Sequence, residues 1–143
     1  MRDRAGIQAA EEEAMELAIT TKKRCEMVDI TAEVQRLCKG WGNTGIVTIL
    51  CPHTTAGVTL TENFDPTVKA DILATLEKLV PLKGGYAHAE GNSDAHIKSA
   101  IIGASVVLPV VKGKARMGRW QGLYFCEFDG PRQRSLWLTF VAG

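Results

Sequence analysis

The sequence predicts a single α+β domain, and three observations lead to this fold class. The chain has 143 residues, a length that suits one domain. No internal repeat, low-complexity tract or linker interrupts it, and its predicted strands are concentrated towards the end while two helices occupy the centre. A chain of about this size buries roughly 70% of the surface that it exposes when unfolded. It can therefore form a core without disulfides or a structural metal.

The N-terminal residues 1–16 are expected to form an extension, and the domain to run over residues 17–143. Acidic residues cluster in the extension beside several alanines, which favours a frayed helix over a core element. These acids are Glu11, Glu12, Glu13 and Glu16. The β-branched residues of segment 17–30 predict one or two short strands.

The first half of the domain combines two helices with two strands. Thr31 is expected to cap a helix that Gly40 ends. Residues 46–51 are almost continuously apolar, which is typical of a central strand, and residues 57–61 alternate, which predicts a strand with one polar face. Asp65 and Pro66 are a good N-cap and first-turn pair for a second helix that ends near Pro81.

The second half begins with a loop at residues 83–92 and ends in strands. Ser93 is expected to cap a third helix, in which Ile97, Ile101 and Ala104 recur at helical spacing. Residues 105–111 then turn at Lys112-Gly113. Residues 123–128 turn at 129–130 into residues 133–141, so two hairpins are expected.

Composition restricts the class of partner and the location. Lys and Arg total 17 against 16 Asp and Glu, so the net charge is +1. Because both signs are scattered along the sequence, neither a nucleic acid nor a membrane surface is expected as a partner.

No apolar run has the length of a signal peptide or a membrane span, which predicts a cytoplasmic protein. Cysteines 25, 38, 51 and 126 form no Cys-x-x-Cys pair and are expected to be reduced.

His53 and Thr54 form the first candidate site, between two predicted strands. Side chains at a strand end commonly line a site on a rigid frame. The alternative is a loop histidine whose ring bonds a backbone carbonyl, since a single histidine carries little information.

The second candidate is segment 88–96, which brings His88, Glu90, Asp94 and His96 to the start of a predicted helix. If Ser93 is the cap, His96 lies in the first turn, where the helix dipole disfavours imidazolium. Neutral imidazole is the form that binds a metal. The alternative is a polar surface loop in which Asp94 pairs with Lys98, a contact worth about 0.2 to 0.5 kcal/mol.

A third candidate lies near the C-terminus. Arg132 and Arg134 are two residues apart on a predicted strand and are expected to face one way, where they could hold a phosphate. Glu127 is expected to point inward and to need an arginine partner, plausibly Arg132. The alternative is a salt-bridged hairpin anchored by Trp120.

The fourth candidate, Glu62 and Asn63, ends a strand just ahead of the second helix. Asp65 in the same segment is a cap rather than a catalyst. Glu62 is therefore the better candidate for contact with a ligand.

Taken together, these motifs resemble the signature of the YjbQ-like family, also known as the secondary thiamine-phosphate synthase family. The resemblance spans residues 17–141 in order and without large gaps. Its motifs are Pro52-His53-Thr54-Thr55-Ala56, Glu62-Asn63-Phe64-Asp65-Pro66, His88 with Glu90-Gly91, His96-Ile97-Lys98-Ser99, Gly118-Arg119-Trp120-Gln121-Gly122, and Glu127 with Arg132. Arg119 stands where the family is expected to have a small polar residue.

The resemblance implies a twisted, largely antiparallel sheet with helices packed against it. It also implies a homotrimer with polar sites near subunit boundaries. The implied activity is a weak thiamine-phosphate synthase reaction, which joins a pyrimidine pyrophosphate to a thiazole phosphate.

In the enzyme interpretation, His53, His88 and His96 converge on one pocket and hold a divalent metal such as zinc. The acids that would orient ligands or move protons are Glu62, Glu90, Asp94 and Glu127. The residues expected to contact a phosphorylated ligand are Thr54, Asn63, Lys98, Trp120, Gln121 and Arg132. The alternative is a non-catalytic trimeric module in which the same residues bind a phosphorylated metabolite without chemistry.

Overall fold

The computed structural model describes residues 12–143. Eight strands and three helices lie in this part of the chain. In order they are β1 (Glu12–Thr20), β2 (Glu26–Asp29), α1 (Thr31–Trp41), β3 (Gly45–Leu50), β4 (Ala56–Glu62), α2 (Pro66–Leu79), α3 (Ser93–Ile102), β5 (Ser105–Val111), β6 (Lys114–Ala115), β7 (Gln121–Glu127) and β8 (Gln133–Ala142). The α+β prediction is confirmed.

The strands form two sheets, and every strand pair is antiparallel. A five-stranded sheet has the order β1-β8-β3-β5-β6, and a three-stranded sheet has the order β2-β7-β4. The first predicted hairpin is confirmed, with Lys112 and Gly113 at positive φ in its turn. The second is wrong, because β7 pairs with β2 and β4 while β8 pairs with β1 and β3. The chain therefore crosses between sheets at residues 128–132.

Strand β1 corrects the expectation for the N-terminus. It pairs with β8 from Glu12 opposite Val141 to Thr20 opposite Gln133. The helical expectation for residues 12–16 is wrong, and the boundary expected after residue 16 falls inside β1; residues 1–11 lie outside the described part of the chain. Met15, Leu17 and Ile19 alternate onto the core. This burial and the ladder to β8 outweigh the helical preference of the glutamates.

The helix ends differ from those expected in three places, namely the start of α1, the end of α1 and the start of α3. Helix α1 starts at Thr31, which was expected to be its cap. Instead, the Thr31 backbone N–H donates to Asp29 Oδ1 at 2.9 Å. The helix continues past Gly40 to Trp41, and Gly42 at φ 77° ends it. Asn92, not Ser93, occupies the N-cap position of α3 and makes no side-chain cap hydrogen bond. The cap of α2 is as expected, with Asp65 Oδ1 accepting from Thr67 N–H at 2.9 Å.

Two apolar clusters make the core and explain the burial of β7. Leu123 and Phe125 point into the larger cluster between the two sheets, which also contains α1. Tyr124, Cys126 and Phe128 point the other way, into a cluster with α2 and α3. Both faces of the three-stranded sheet are therefore covered, one by the cluster that it shares with the five-stranded sheet and α1, and the other by α2 and α3.

The outer face of the five-stranded sheet has an apolar surface. Six of its side chains are between 40 and 59% exposed, namely Ile46, Leu50, Val107, Val111, Trp137 and Val141. Ile46 lies opposite Val141, and Leu50 opposite Trp137, so the residues form a continuous patch. Within residues 12–143, no helix combines the length and apolar character required to cross a bilayer.

Candidate functional site

His88 and His96 are brought together at the start of α3. His88 lies in the loop before the helix, and His96 lies on its first full turn. Their ring centres are 5.3 Å apart and the ring planes are nearly perpendicular, at 88°. Glu90 is next to the pair, with Oε2 at 3.7 Å from His88 Nε2.

The two imidazoles line an open cleft, which we call the histidine cleft. Its volume is about 410 Å³, and its walls are Tyr86, Ala87, His88, Ser93, His96 and Ile97. Ser93, His96 and Ile97 share one face of α3, because residues three and four apart on a helix are neighbours. Asn92 supplies no side-chain cap, but its carbonyl accepts from the N–H groups of Ala95 and His96 at 3.0 and 3.4 Å. The amides of Ser93 and Asp94 remain for an anion at the positive end of the helix dipole.

His96 also borders a second cleft, of about 360 Å³. Thr54 lies across it, together with Ser99, Ala100, Gly103 and Ala104. The Ser99 hydroxyl donates to the carbonyl of Ala56 at 2.5 Å, which fixes α3 against β4. The structure therefore brings the loop of His53 and Thr54 close to His96.

His53 itself is held by the backbone of β8. Its Nε2 lies 3.0 Å from Ser135 N and 3.1 Å from Ser135 O. Burial lowers the pKa of His53, and the positive charge of Arg134 lowers it further. Among the described residues, no three His, Cys, Asp or Glu side chains gather closely enough to hold a metal ion. The expected three-histidine site is therefore not formed within one chain.

Asp94 and Lys98 are pairing residues of the interior. Asp94 is fully buried and accepts hydrogen bonds from Arg24 Nη1 and Nη2, each at 3.0 Å, and from Lys98 Nζ at 3.2 Å. Lys98 is 1% exposed and also donates to Glu77 at 2.8 Å. Burial opposes the charge of Asp94, but these cations outweigh it and hold the pKa of Asp94 below its usual value. The two side chains stabilise α3 from the interior, and Lys98 uses two of its three Nζ hydrogens in these contacts.

Glu127 is also fully engaged, and its partner is Arg134. Arg134 donates to both carboxylate oxygens, at 2.8 and 2.5 Å. Thr21 Oγ1 donates at 2.8 Å, and the backbone amides of Phe128 and Asp129 donate at 3.1 and 3.0 Å. The expected pair of Glu127 with Arg132 is wrong. Burial opposes ionisation, yet these donors keep the pKa of Glu127 below its usual value.

Arg132 lies on the surface instead. Strand β8 starts one residue later, so Arg132 and Arg134 do not share a strand face as expected. Arg132 Nε donates to Asp129 O at 2.7 Å, and Nη2 donates to Asp129 Oδ2 at 3.1 Å. The same carboxylate oxygen accepts from Asn92 Nδ2 at 2.9 Å. This chain of contacts places the Arg132 guanidinium beside the N-terminus of α3.

Four other candidates lie at the far end of β4. Glu62 Oε2 accepts from Phe64 N–H at 2.9 Å, and Asn63 Nδ2 donates to Asp29 at 3.3 Å. Gln121 Oε1 accepts from Gly118 N–H at 2.7 Å. Trp120 lies between Gly118 and Gln121 in the same turn. The seven residues of β4 span about 20 Å at 3.3 Å per residue, so in one chain this group is separated from the histidine cleft.

Arg24 and Ser135 are important residues that the sequence did not indicate, and Arg134 was expected to hold a phosphate but pairs with Glu127 instead. Arg24 and Arg134 are paired with acids 70 and 7 residues away, respectively. Nothing in the local pattern indicates which acid each of the two arginines contacts. The position of Ser93 and Ile97 beside His96 could have been inferred from helical periodicity.

The fold and the cleft define a class of small α+β proteins with two antiparallel sheets and a surface cleft that contains a histidine pair. The family model described as "UPF0047 protein YjbQ-like" matches residues 15–143, and the chain belongs to this family.

The relatives are similar over almost their whole length. UPF0047 protein YugU of Bacillus subtilis is 48% identical over 127 residues, which are 87% of this chain and 96% of that protein. A UPF0047 protein of Methanocaldococcus jannaschii is 46% identical over 124 residues, covering 86% and 90% of the two chains.

Solved structures have the same fold. An uncharacterised conserved protein of this family from Clostridium acetobutylicum is 43% identical with a TM-score of 0.86, over 89% of this chain and 99% of its own. A protein of unknown function from Sulfolobus solfataricus, described as YbjQ-like, is 27% identical with a TM-score of 0.87, over 92% and 98%.

Proposed function

We propose that the histidine cleft binds a phosphorylated small molecule and that His88 and His96 hold a divalent metal there, for which zinc is the best fit. The observation that carries the proposal is the 5.3 Å separation of the two ring centres. Two imidazoles on a tetrahedral zinc, with Zn–N bonds of about 2.1 Å, have ring centres about 5 Å apart. The pair supplies two ligands and leaves positions for another donor and for substrate.

The reaction we propose is the thiamine-phosphate synthase type of transfer. The bond between a pyrimidine methylene carbon and a pyrophosphate oxygen breaks, a carbon–nitrogen bond to the thiazole phosphate forms, and pyrophosphate leaves. A bound divalent metal supplies Lewis-acid neutralisation of phosphate oxygens. The chain contributes the Arg132 guanidinium and the amides of Ser93 and Asp94 at the start of α3, which stabilise the departing anion. Glu90 orients the ring of His88.

A second candidate, recognition without chemistry, is favoured by one observation. Asp94 and Glu127, two of the four expected catalytic acids, are fully buried and hydrogen-bonded. Glu62 accepts from backbone amides of its own turn. Of the four, Glu90 alone lies beside the cleft, so the site has few groups for proton transfer.

A metal titration followed by a turnover assay tests both candidates. Calorimetry with zinc should show binding that His88→Ala and His96→Ala abolish and that the control His53→Gln preserves. Incubation of the zinc-loaded protein with the two thiamine precursors should then release pyrophosphate, and both cleft variants should abolish this release. Zinc binding that neither variant weakens contradicts the metal site. Binding of phosphorylated ligand without pyrophosphate release selects the recognition module.

We also propose that the protein is a homotrimer in which the outer face of the five-stranded sheet is the contact surface. Its six exposed apolar side chains support this, since exposed patches of this kind commonly mark interfaces. A closed ring would repeat one head-to-tail contact. A neighbouring subunit could then supply the further donor that the histidine pair lacks in a single chain.

A further inference from the structure

The end of α1 and the hairpin β5–β6 bring together cations that are far apart in sequence. The Gln35 side chain bonds Ala115 twice, donating to its carbonyl at 2.9 Å and accepting from its N–H at 3.0 Å. The hairpin turn packs closely on the helix end, since a Cβ on Gly113 would lie 3.4 Å from the Cα of Lys39. Arg36 and Lys39 of α1 therefore lie beside Lys112 and Lys114.

The cations continue from the hairpin into the next turn. Lys114 and Arg116 flank the buried Ala115, so their side chains point outward. Lys114 lies opposite Val111 on the edge strand β6, so the cations lie at the rim of the surface proposed for subunit contact. Arg119 follows within about 10 Å of Arg116, because three residues of chain reach no further. We define the basic strip as the six residues Arg36, Lys39, Lys112, Lys114, Arg116 and Arg119, all exposed. In the described part of the chain, none of the six is in a salt bridge.

Acidic residues are absent from the segment that carries four of the six strip cations. The sequence contains no Asp or Glu between Asp94 and Glu127, a stretch that includes the four strip cations of the hairpin and turn. Glu33 lies one helical turn before Arg36. The overall net charge is only +1, but the fold gathers cations from two separate segments and so produces a local excess of positive charge.

The strip ends at an exposed aromatic pair. Phe64 is 75% exposed and Trp120 47% exposed, with ring centres 5.2 Å apart. The Arg119 guanidinium lies 4.7 Å from the centre of the Trp120 ring. Hydrogen bonds hold the main chain of both residues, since Asn63 N–H donates to Trp120 O at 3.0 Å and Glu62 accepts from Phe64 N–H at 2.9 Å. The pair is a preformed stacking surface, and the Phe64 ring offers most of its area.

We propose that the basic strip and the Phe64–Trp120 pair form a binding surface for single-stranded nucleic acid, a role separate from the histidine cleft. Cations that follow a backbone and aromatic rings that stack unpaired bases are the two components of such surfaces. A duplex offers no free base to stack on Phe64. One nucleotide would use Arg119 and the aromatic pair but not the cations that continue to Lys39. Asp29 and Glu62 near the aromatic end can accept hydrogen bonds from base amino groups.

Fluorescence anisotropy with a labelled single-stranded RNA of about 16 nucleotides tests the proposal. We expect a Kd of about 1 to 100 μM at physiological salt, and a log–log salt slope of about −2 to −4 for three to six neutralised phosphates. The double variant Lys114→Glu/Arg116→Glu should weaken binding at least about tenfold and flatten the slope. Phe64→Ala should weaken it about fivefold or more without changing the slope.

The control is Lys78→Glu/Lys83→Glu, which makes the same charge change at two exposed lysines outside the strip. It should bind nearly as well as the wild type, and circular dichroism should show that all variants are folded. Equal losses in the strip and control variants overturn the proposal. The proposal is also overturned if no binding is seen in the stated range, or if a duplex, anionic vesicles or an acidic peptide binds more tightly than the single strand. Full competition by a mononucleotide overturns it too.

Discussion

Arg134 of β8 and Glu127 of β7 form a buried ion pair that joins the two sheets, with Nε 2.8 Å from Oε2. Arg134 also donates to Thr55 Oγ1 at 2.8 Å. The sequence predicted a hairpin of β7 and β8, but the two strands lie in different sheets. The ion pair connects strands that do not pair through their backbones.

Removing one partner of this pair should destabilise the protein strongly. Arg134→Met leaves the Glu127 carboxylate buried without its cation, and the expected loss is about 3 to 5 kcal/mol of unfolding free energy. The double variant Arg134→Met/Glu127→Gln should be less destabilised than Arg134→Met, because no unpaired charge remains. Urea denaturation measures both. A loss below about 1 kcal/mol for Arg134→Met would show that the ion pair is not structural.

Acid should unfold the protein through Glu127 and Asp94. The pKa of each is below its ordinary value, 4.5 for Glu and 3.8 for Asp. Their contribution is therefore complete above about pH 4.5 and is lost as the pH falls through the unfolded pKa towards the folded one. Thermal melts across this range should show a steep fall in Tm that Glu127→Gln flattens. The exposed control Asp71→Asn should leave the slope unchanged.

His53 should behave as a structural residue. Its replacement by Ala removes the acceptor of the Ser135 N–H, and the expected cost is about 1 to 3 kcal/mol. Because the pKa of His53 is below its ordinary value of 6.5, its contribution is complete above about pH 6.5 and falls as the pH decreases below that value. Denaturant titration at two pH values measures this. The exposed control His88→Ala should change stability by less than about 0.5 kcal/mol.

Arg132→Lys should weaken binding of phosphorylated ligands while preserving the fold. Lysine retains the charge but loses the planar donor fork, so affinity for pyrophosphate should fall by about 1 to 3 kcal/mol. Stability should change by about 0 to 1 kcal/mol, since the ion pair with Asp129 is exposed. Calorimetric titration measures the affinity, with Arg36→Lys as a control. Equal affinity of Arg132→Lys and the wild type for pyrophosphate would show that Arg132 does not bind the ligand and only pairs with Asp129.

Assembly should depend on the apolar outer face of the five-stranded sheet. Val107→Glu places a charge at a side chain that is 59% exposed in the single chain, and we expect it to convert a trimer into monomers. Leu79→Glu is the control, because Leu79 is 70% exposed on α2. Light scattering measures the mass of each. A monomeric wild type at micromolar concentration contradicts the trimer.

Local patterns predicted most of the elements but misassigned the N-terminus. The apolar run of β3, the Asp65-Pro66 start of α2 and the Lys112-Gly113 turn each depend on neighbours in sequence. Strand β1 does not, because an acidic, alanine-containing segment becomes a strand only when the edge of β8 is present to pair with it.

The sequence by itself determined the fold class and the family resemblance, because these depend on the order of local patterns and motifs along the chain. It also placed His88 close to His96, because the two residues lie within a few turns of each other. The tertiary structure decided which charged residues are free. Glu127, Asp94 and Lys98 resemble catalytic or binding residues in the sequence, but Arg134, Arg24 and Glu77 neutralise them. A buried charge requires a partner, and that partner can come from any position that the fold brings within hydrogen-bond distance.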